Sequence, residues 1–464
     1  MDHKLFITIF LISIIFSSCS KDRFEEVSKP NIIFIISDDQ DYRDYGFMGH
    51  ETVETPHIDR LAQESLTFTR GYASAPLCSP SLASIITGLY AFQHGITGND
   101  PVVKFTGPRY PKLEAGAHDF PRDSYPVRRD SAFQILAKNF YKNKLITETL
   151  AEQGYRSFQS GKWWVGSAED AGFDSGMTHG DYTRGGRHGD EGLKIGREGL
   201  EPIYDFIEST SEEEVPFFVW YAPFLPHTPH TPPRTLEEKY LKLTPDSTVA
   251  KYWAMIEWFD QTVGDLQNFL REKGLDENTL IVYTCDNGWI QDPSSNSYAS
   301  RSKRSPFEGG IRTPIMFKYP KGISPKRDDK HVISNVDIVP TIHSILGIDH
   351  GELPGINVLD EQQVQNRTTV FAEAYDHDIE NIQNPTETLL YQIAIENEWK
   401  LLIPNLKMIE KADKTKEEQK AGYYSNEIQL YNLNKDPLEK NNVSEQHPEQ
   451  VKRLRKKISS WYQN

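Results

Sequence analysis

Residues 31–39 read N-I-I-F-I-I-S-D-D. An apolar run without alternation suits a strand covered on both faces, as in the parallel sheets of α/β proteins. The run stops at Asp38-Asp39. Carboxylates just past the C-terminal end of such a strand lie in the crevice where open α/β sheets bind ligands. Adjacent acids repel unless a cation or water serves both. Working outward, the pattern recurs. Tyr155–Ser160 reads as a strand before Gly161-Lys162. Phe217–Ala222 (F-F-V-W-Y-A) runs into Pro226-His227-Thr228-Pro229. Thr279–Cys285 (T-L-I-V-Y-T-C) ends in Asp286-Asn287-Gly288. Between the runs lie helical patterns. Thr55–Ala62 has Thr55 as cap and Pro56 in its first turn. Ile146–Gln153 and Val249–Phe269 follow, the latter with Ile256, Phe259, Val263, Leu266 and Phe269 on one face. Val336–Thr341 opens a last core helix. The sum predicts an α/β fold, a large mixed and mostly parallel sheet sandwiched by helices.

The chemistry centres on Cys78. Pro76 keeps its predecessor extended, and Ser79-Pro80-Ser81 reads as a helix start followed by Leu82, Ile85, Ile86 and Leu89. Cys78 is thus predicted at a helix N-terminus, where partial positive charge favours developing negative charge. A lone Cys as a small core hydrophobe is the plainer alternative, and Cys285 is read that way. The oxygen ligands Asp38, Asp39, Asp286 and Asn287 suit calcium or magnesium rather than zinc. His94 reads as a packed side chain. Residues 101–143 (Arg109, Arg122, Arg128, Arg129) and 172–191 (His179, Arg184, Arg187, His188) read as polar loops, the former a solvated insertion or a wall of an anion pocket, the latter a second pocket loop.

After residue 365 short strand-like segments (369–374, 392–395, 400–403, 429–433) precede a helix at 449–462, predicting a smaller α+β antiparallel subdomain. The expected division is 30–364 and 365–464. The 464-residue chain carries a formal charge of −16, which argues against nucleic-acid binding. Residues 1–18 read as an export signal, with Lys4, the apolar run Leu5–Phe16 and then Ser17-Ser18-Cys19. That run is short for a membrane span. The end resembles a bacterial lipoprotein box, so Cys19 is expected to carry a lipid anchor and residues 19–29 to form a tether. The expected location is the cell envelope, periplasm or outer-membrane surface. Cys78 and Cys285 then remain, with no disulfide framework.

C-S-P-S at 78–81 with Thr87-Gly88 resembles the formylglycine-dependent sulfatase signature C-x-P-S-R followed by T-G. The same family order continues in T-P-x-I-D-x-L (55–61), G-K-W (161–163), P-H-T-P (226–229), K-x-x-x-F-E-G-G-I-R-T-P (303–314) and Y-N-L-N-K-D-P-L-E (431–439). The resemblance implies an alkaline-phosphatase-like fold and a sulfuric ester hydrolase acting on an extracellular sulfated carbohydrate, polysaccharide or oligosaccharide, such as those of algae. It implies that a maturation enzyme converts Cys78 to formylglycine (3-oxoalanine), whose hydrate attacks sulfur. One Ca2+ would be held by Asp38, Asp39, residue 78, Asp286 and Asn287. Cys78, Lys162, His227 and Lys303 would be catalytic. Two positions depart from the pattern: Leu82 stands for the Arg, and Trp164 for a His that takes a proton. We expect Leu82 and Trp164 to pack as one coupled apolar change, with His227, His94 or a His or Arg of the 172–191 loop substituting. The alternatives are an inactive relative that binds sulfated glycan at the cell surface, and a phosphate or phosphonate ester hydrolase.

Overall fold

Nine strands form the main sheet of the computed structural model, which describes residues 29–101, 125–179, 192, 194–349, 351–411 and 425–462. In chain order the strands are β1 (Asn31–Ser37), β2 (Leu66–Tyr72), β3 (Asp100–Pro101), β4 (Arg156–Gly161), β5 (Ser175–Gly176), β6 (Phe217–Ala222), β7 (Thr279–Cys285), β8 (Arg312–Lys318), β9 (Lys326–Asp328), β10 (Ile333–Ser334), β11 (Thr369–Tyr375), β12 (Asp378–Ile379), β13 (Leu389–Glu396), β14 (Trp399–Pro404) and β15 (Gln429–Asn432). The main sheet runs β10-β2-β8-β7-β1-β6-β4-β5, with β9 on β2. It is parallel except where β8 meets β2 and β7. The predicted mixed, mostly parallel sheet is therefore the observed one.

The unbroken apolar runs are explained by the two cores. Ile32, Phe34 and Ile36 face one cluster with Trp220, Val282 and the residues Leu82, Ile85 and Ile86 of the helix Cys78–Thr87. Ile33 and Ile35 face another, with Val219, Tyr283 and the Met255, Phe259, Val263 and Leu266 stripe of the helix Ser247–Glu272. Alternate residues of one strand thus enter opposite cores, and both faces are dry.

Two readings need correction. The helix α1 (Pro56–Gln63) receives no side-chain cap from Thr55. The amides of His57 and Ile58 donate instead to Asp260 of the long helix, at 3.2 and 2.7 Å. Residues 101–143 are not all loop, because Tyr125–Phe140 is helical and buries Phe133, Leu136 and Phe140. Their i, i+3, i+7 spacing was hidden by neighbouring Arg and Asp. Cys285 is buried, as expected, and its sulfur is also hydrogen-bonded: Gln40 N donates to it at 3.3 Å and it donates to Asn287 O at 3.1 Å.

A second sheet, β11-β13-β14-β15, is antiparallel throughout and carries the helix Pro448–Trp461. It docks on the main domain through an apolar cluster that joins Tyr72, Phe307 and Ile311 to Val370, Ile393 and Tyr431, and through a smaller one that joins Ala91 to Tyr375 and Leu389. Among the described residues no helix is long and apolar enough to cross a membrane. Cys19 with residues 1–28, Arg109 and Arg122, and Arg184, Arg187 and His188 lie outside the described residues. Arg128 and Arg129 lie in the helix 125–140, with their side chains outside the description.

Candidate active site

Four adjacent parallel strands each deliver polar side chains at their C-terminal ends. Asp286 and Asn287 follow β7, Asp38 and Asp39 follow β1, His227 lies beyond β6, and Lys162 follows β4. Because Ser37 pairs with Cys285, the two acidic turns sit side by side. Asp39 N and Asn287 N both donate to Asp286 Oδ1, at 3.1 and 2.7 Å. Asp39 has φ +66°, a left-handed conformation that is strained for a residue other than glycine. Gly161 before Lys162 has φ +80°, and a Cβ there would lie 2.0 Å from Ala222 O. Only glycine fits that turn.

Lys162 Nζ donates to both oxygens of Asp38 at 2.7 and 2.8 Å and lies 3.4 Å from Asp286 Oδ2. Lys303 arrives from the segment between β7 and β8. Its Nζ lies 2.6 and 2.7 Å from the oxygens of Asp39 and 3.1 Å from Cys78 Sγ. Cys78 is the first residue of α2 (Cys78–Thr87), as expected, and every residue of that helix is buried. His227 Nδ1 bonds the Thr228 carbonyl, which can only accept, so Nδ1 carries the hydrogen. Its Nε2 faces Asp39 Oδ2 at 3.4 Å.

The charges act on one another in this dry setting. Burial opposes ionisation of Asp39, yet Lys303, His227 and Lys162 hold it at about 2. Burial, then Asp38, push Asp286 up to about 8 against the pull of Lys162. Burial likewise raises the Cys78 thiol to about 12, although Lys162 and Lys303 oppose it. For Lys162 burial works against the charge, but Asp38 outweighs it and the net shift is upward. Burial lowers His227 despite Asp38 and Asp39, which keeps its neutral form available.

The donor set fits a hard cation. The Asn287 amide nitrogen is committed to Asp39 Oδ1 and Gly288 O, at 2.7 and 3.1 Å. Among the described residues its Oδ1 is buried with no protein donor. An orphaned buried oxygen beside three carboxylates is the arrangement calcium or magnesium completes. Ligand atoms of Asp38, Asp39, Cys78 and His227 also lie within 4.8 Å of one another. The structure therefore brings together Asp38, Asp39, Cys78, Lys162, His227, Asp286, Asn287 and Lys303, all named from the sequence.

The two departures lie in the core. Leu82 and Trp164 share one apolar cluster and are essentially unexposed. Trp164 contacts Trp163, Phe140 and Trp220, at ring separations of 4.4, 5.9 and 6.5 Å. Of the suggested substitutes, His94 is locked. It accepts from Ile96 N at 3.1 Å, lies 3.1 Å from Ser84 Oγ, and burial depresses it to about 3. His179 is exposed. Sequence reasoning missed Asn99 and His377. Ser79 N donates to Asn99 Oδ1 at 3.1 Å, Asn99 Nδ2 meets His377 Nε2 at 3.3 Å, and His377 Nδ1 pairs with Asp378 at 2.6 Å. This link reaches the residue next to Cys78 through the parallel pairing of β3 with β12. A D-H-D triplet at 376–378 was its single visible trace.

Comparison with known proteins adds a family. The family model "Sulfatase" matches residues 30–348, and "N-sulphoglucosamine sulphohydrolase, C-terminal" matches residues 298–464. The chain is 26% identical to an N-acetylgalactosamine-6-O-sulfatase of Bacteroides thetaiotaomicron, over 95% of this chain and 94% of that one. It is 26% identical to the N-acetylgalactosamine-6-sulfatase of Canis lupus familiaris over 69% of its length, and spans 62% of that protein. The crystal structure of Ps i-CgsB in complex with k-i-k-neocarrahexaose superposes with a TM-score of 0.67 at 23% identity, covering 93% of this chain and 92% of that one. That likeness shows the shared fold.

Proposed function

The chain belongs to the sulfatase family, and from that premise we propose that it is a sulfuric ester hydrolase that removes sulfate from an extracellular sulfated carbohydrate. The observation that carries the reading is the convergence of Lys162, His227 and Lys303 on Asp38 and Asp39 beside Cys78. A sulfate ester is an anion, and displacement at sulfur needs charge on its oxygens and a placed nucleophile. When bound, calcium would supply positive charge there, and formylglycine made from Cys78 would supply an oxygen nucleophile. Asp38, Asp39, Asp286 and Asn287 Oδ1 would hold the ion. Lys162 and Lys303 each carry three N–H donors, and a cation that took over part of their carboxylates would free one of them for a sulfate oxygen. Fixing Nδ1–H on Thr228 leaves Nε2 of His227 as the atom that exchanges a proton with the departing sugar oxygen.

The names of the relatives make an N-acetylgalactosamine 6-sulfate and a carrageenan-type oligosaccharide the first substrates to test. Mass spectrometry of the Cys78 peptide should find formylglycine, and one of these glycans should release sulfate. Hydrolysis of small aryl sulfates with no release from any glycan would overturn the substrate class. Formylglycine present without any sulfate release would overturn the enzyme.

Burial of Leu82 and Trp164 in the apolar core favours a second reading, an inactive relative that binds sulfated glycan. It requires an unmodified Cys78 and glycan binding without sulfate release. Lipid anchoring at Cys19 completes the proposal. The chain enters β1 at Pro30, at the end of that strand opposite Asp38, so a tether would join the domain at the end of β1 away from the site. Palmitate labelling abolished by Cys19→Ala tests it, and labelling that survives the change refutes it.

A further inference from the structure

Lys303 reaches Asp39 and Cys78 from a run of turns and bends, residues 299–307, and a long flexible side chain on such a run has no fixed position of its own. The run is also strained. Arg301 and Arg304, on either side of Ser302-Lys303, have φ +56° and +67°. Such conformations in residues other than glycine persist only where the surroundings over-determine them.

The surroundings that do so belong largely to the C-terminal subdomain. Before Lys303, the Arg301 guanidinium stacks on Phe307 at 4.2 Å and donates to the carbonyls of Leu438 and Glu439. After it, Glu308 N donates to Glu439 Oε2 at 2.6 Å. The Glu308 carboxylate meets Lys400 Nζ at 3.1 Å, Tyr72 OH at 3.2 Å and Arg312 at 3.5 Å. Lys400 also lies 3.0 Å from Glu439 Oε1, and all three members of the triad are buried. Glu439 is itself at φ +54°. Near the middle, Arg304 N donates to Pro76 O at 2.7 Å, two residues before Cys78.

A buried ion cluster is a weak way to add stability, since apolar side chains of the same volume do as well or better. What ions add is fixed geometry, because each partner must sit at hydrogen-bond distance. We propose that Lys400 and Glu439 are positioning residues: they clamp the segment 301–308 at both ends and thereby set Lys303 against Asp39 and Cys78. Their effect on turnover rests on the reading of Lys303 as a sulfate-binding group. The clamp itself does not.

The test compares Glu439→Gln, nearly isosteric, and Lys400→Met with a control in the same subdomain. Glu396 is another buried carboxylate, held by Arg453, Lys457, Thr368 and Thr369, all of them outside residues 301–308. Hydrogen exchange of peptide 299–307 and alkylation of unmodified Cys78 by iodoacetamide are measured first, in protein made without maturation. Glu439→Gln should speed exchange by at least about tenfold and change the alkylation rate as Lys303→Ala does, while Glu396→Gln does neither at a similar loss of melting temperature. In matured enzyme kcat/KM should fall by about 10- to 100-fold on small and large sulfate esters alike. Added to Lys303→Ala, Glu439→Gln should then produce no further fall. Lys400→Arg should restore part of the loss. Equal changes from Glu396→Gln, or additive losses with Lys303→Ala, overturn the proposal. Should Lys400→Met not fold, Glu439→Gln decides alone. Should no sulfate ester be cleaved by any form, the hydrolase reading fails and the exchange and alkylation results still decide the clamp.

Discussion

Two buried ionic clusters lie on either side of Lys303, and they are built differently. At the site, Asp38, Asp39 and Asp286 face Lys162 and Lys303, so three carboxylates meet two ammonium groups, and Asn287 Oδ1 has no donor. In the clamp, Glu308 and Glu439 face Lys400 and Arg312, and formal charge balances. The site holds one more carboxyl group than ammonium groups, with Asp286 pushed up to about 8, and an orphaned oxygen, which is a cost to the bare fold and a preparation for a cation. The clamp balances its formal charge within the protein, Glu439 Oε1 being met by Lys400 at 3.0 Å as an ion pair without a directed hydrogen bond. An incomplete cluster thus marks where a ligand acts, and a complete one marks where geometry is held.

Substitutions should separate the two. Asp286→Ala, in the incomplete cluster, should lower turnover by about 10³-fold or more, the scale of losing one stabilising element of a reaction centre. It should also abolish the rise in melting temperature on adding calcium, while barely lowering stability in chelator. A calcium response that survives it would break the contrast. Lys400→Met, in the complete cluster, should cost about 3–5 kcal/mol of stability in denaturant titration, because it strands two buried carboxylates. If its loss without calcium is no greater than that of Asp286→Ala, charge balance is not what distinguishes the clusters.

The smallest effect sharpens the comparison at a third buried acid. Asp260 accepts the amides of His57 and Ile58, but burial still raises it to about 7. The folded protein therefore keeps a proton that the unfolded chain releases above about pH 4. Its contribution is full below pH 4 and declines as pH rises to about 7. Asp260→Asn should flatten stability across that window. An unchanged slope between pH 4 and 7 would show that Asp260 is ionised in the fold.

Much of the site was legible because it is punctuation. An apolar run that ends in acids, a glycine before Lys162 and prolines around His227 are local patterns, and a strand fixes where its last residue points. The strands of the second sheet were legible for the same reason, 369–374 and 400–403 lying within the observed β11 and β14. The cap of α1 was misread because Thr55 is adjacent in sequence, whereas the better acceptor, Asp260, comes from a helix about two hundred residues on. Lys400 is the first residue of the segment expected as a strand at 400–403, and no residue beside it marks it as buried. Its partners are 92 residues before it and in the turn at Glu439, and single-sequence pattern carries no record of such pairings.

By itself the sequence determined the strand runs, the polar groups at their ends and the family likeness, because each is set by neighbours along the chain. The tertiary structure alone decided which ends stand side by side, that Asn287 Oδ1 is left without a donor, that Trp164 belongs to the core, and that the C-terminal subdomain grips the Lys303 segment. Those are facts of long-range packing, where burial and distance, not residue type, fix what a charge can do.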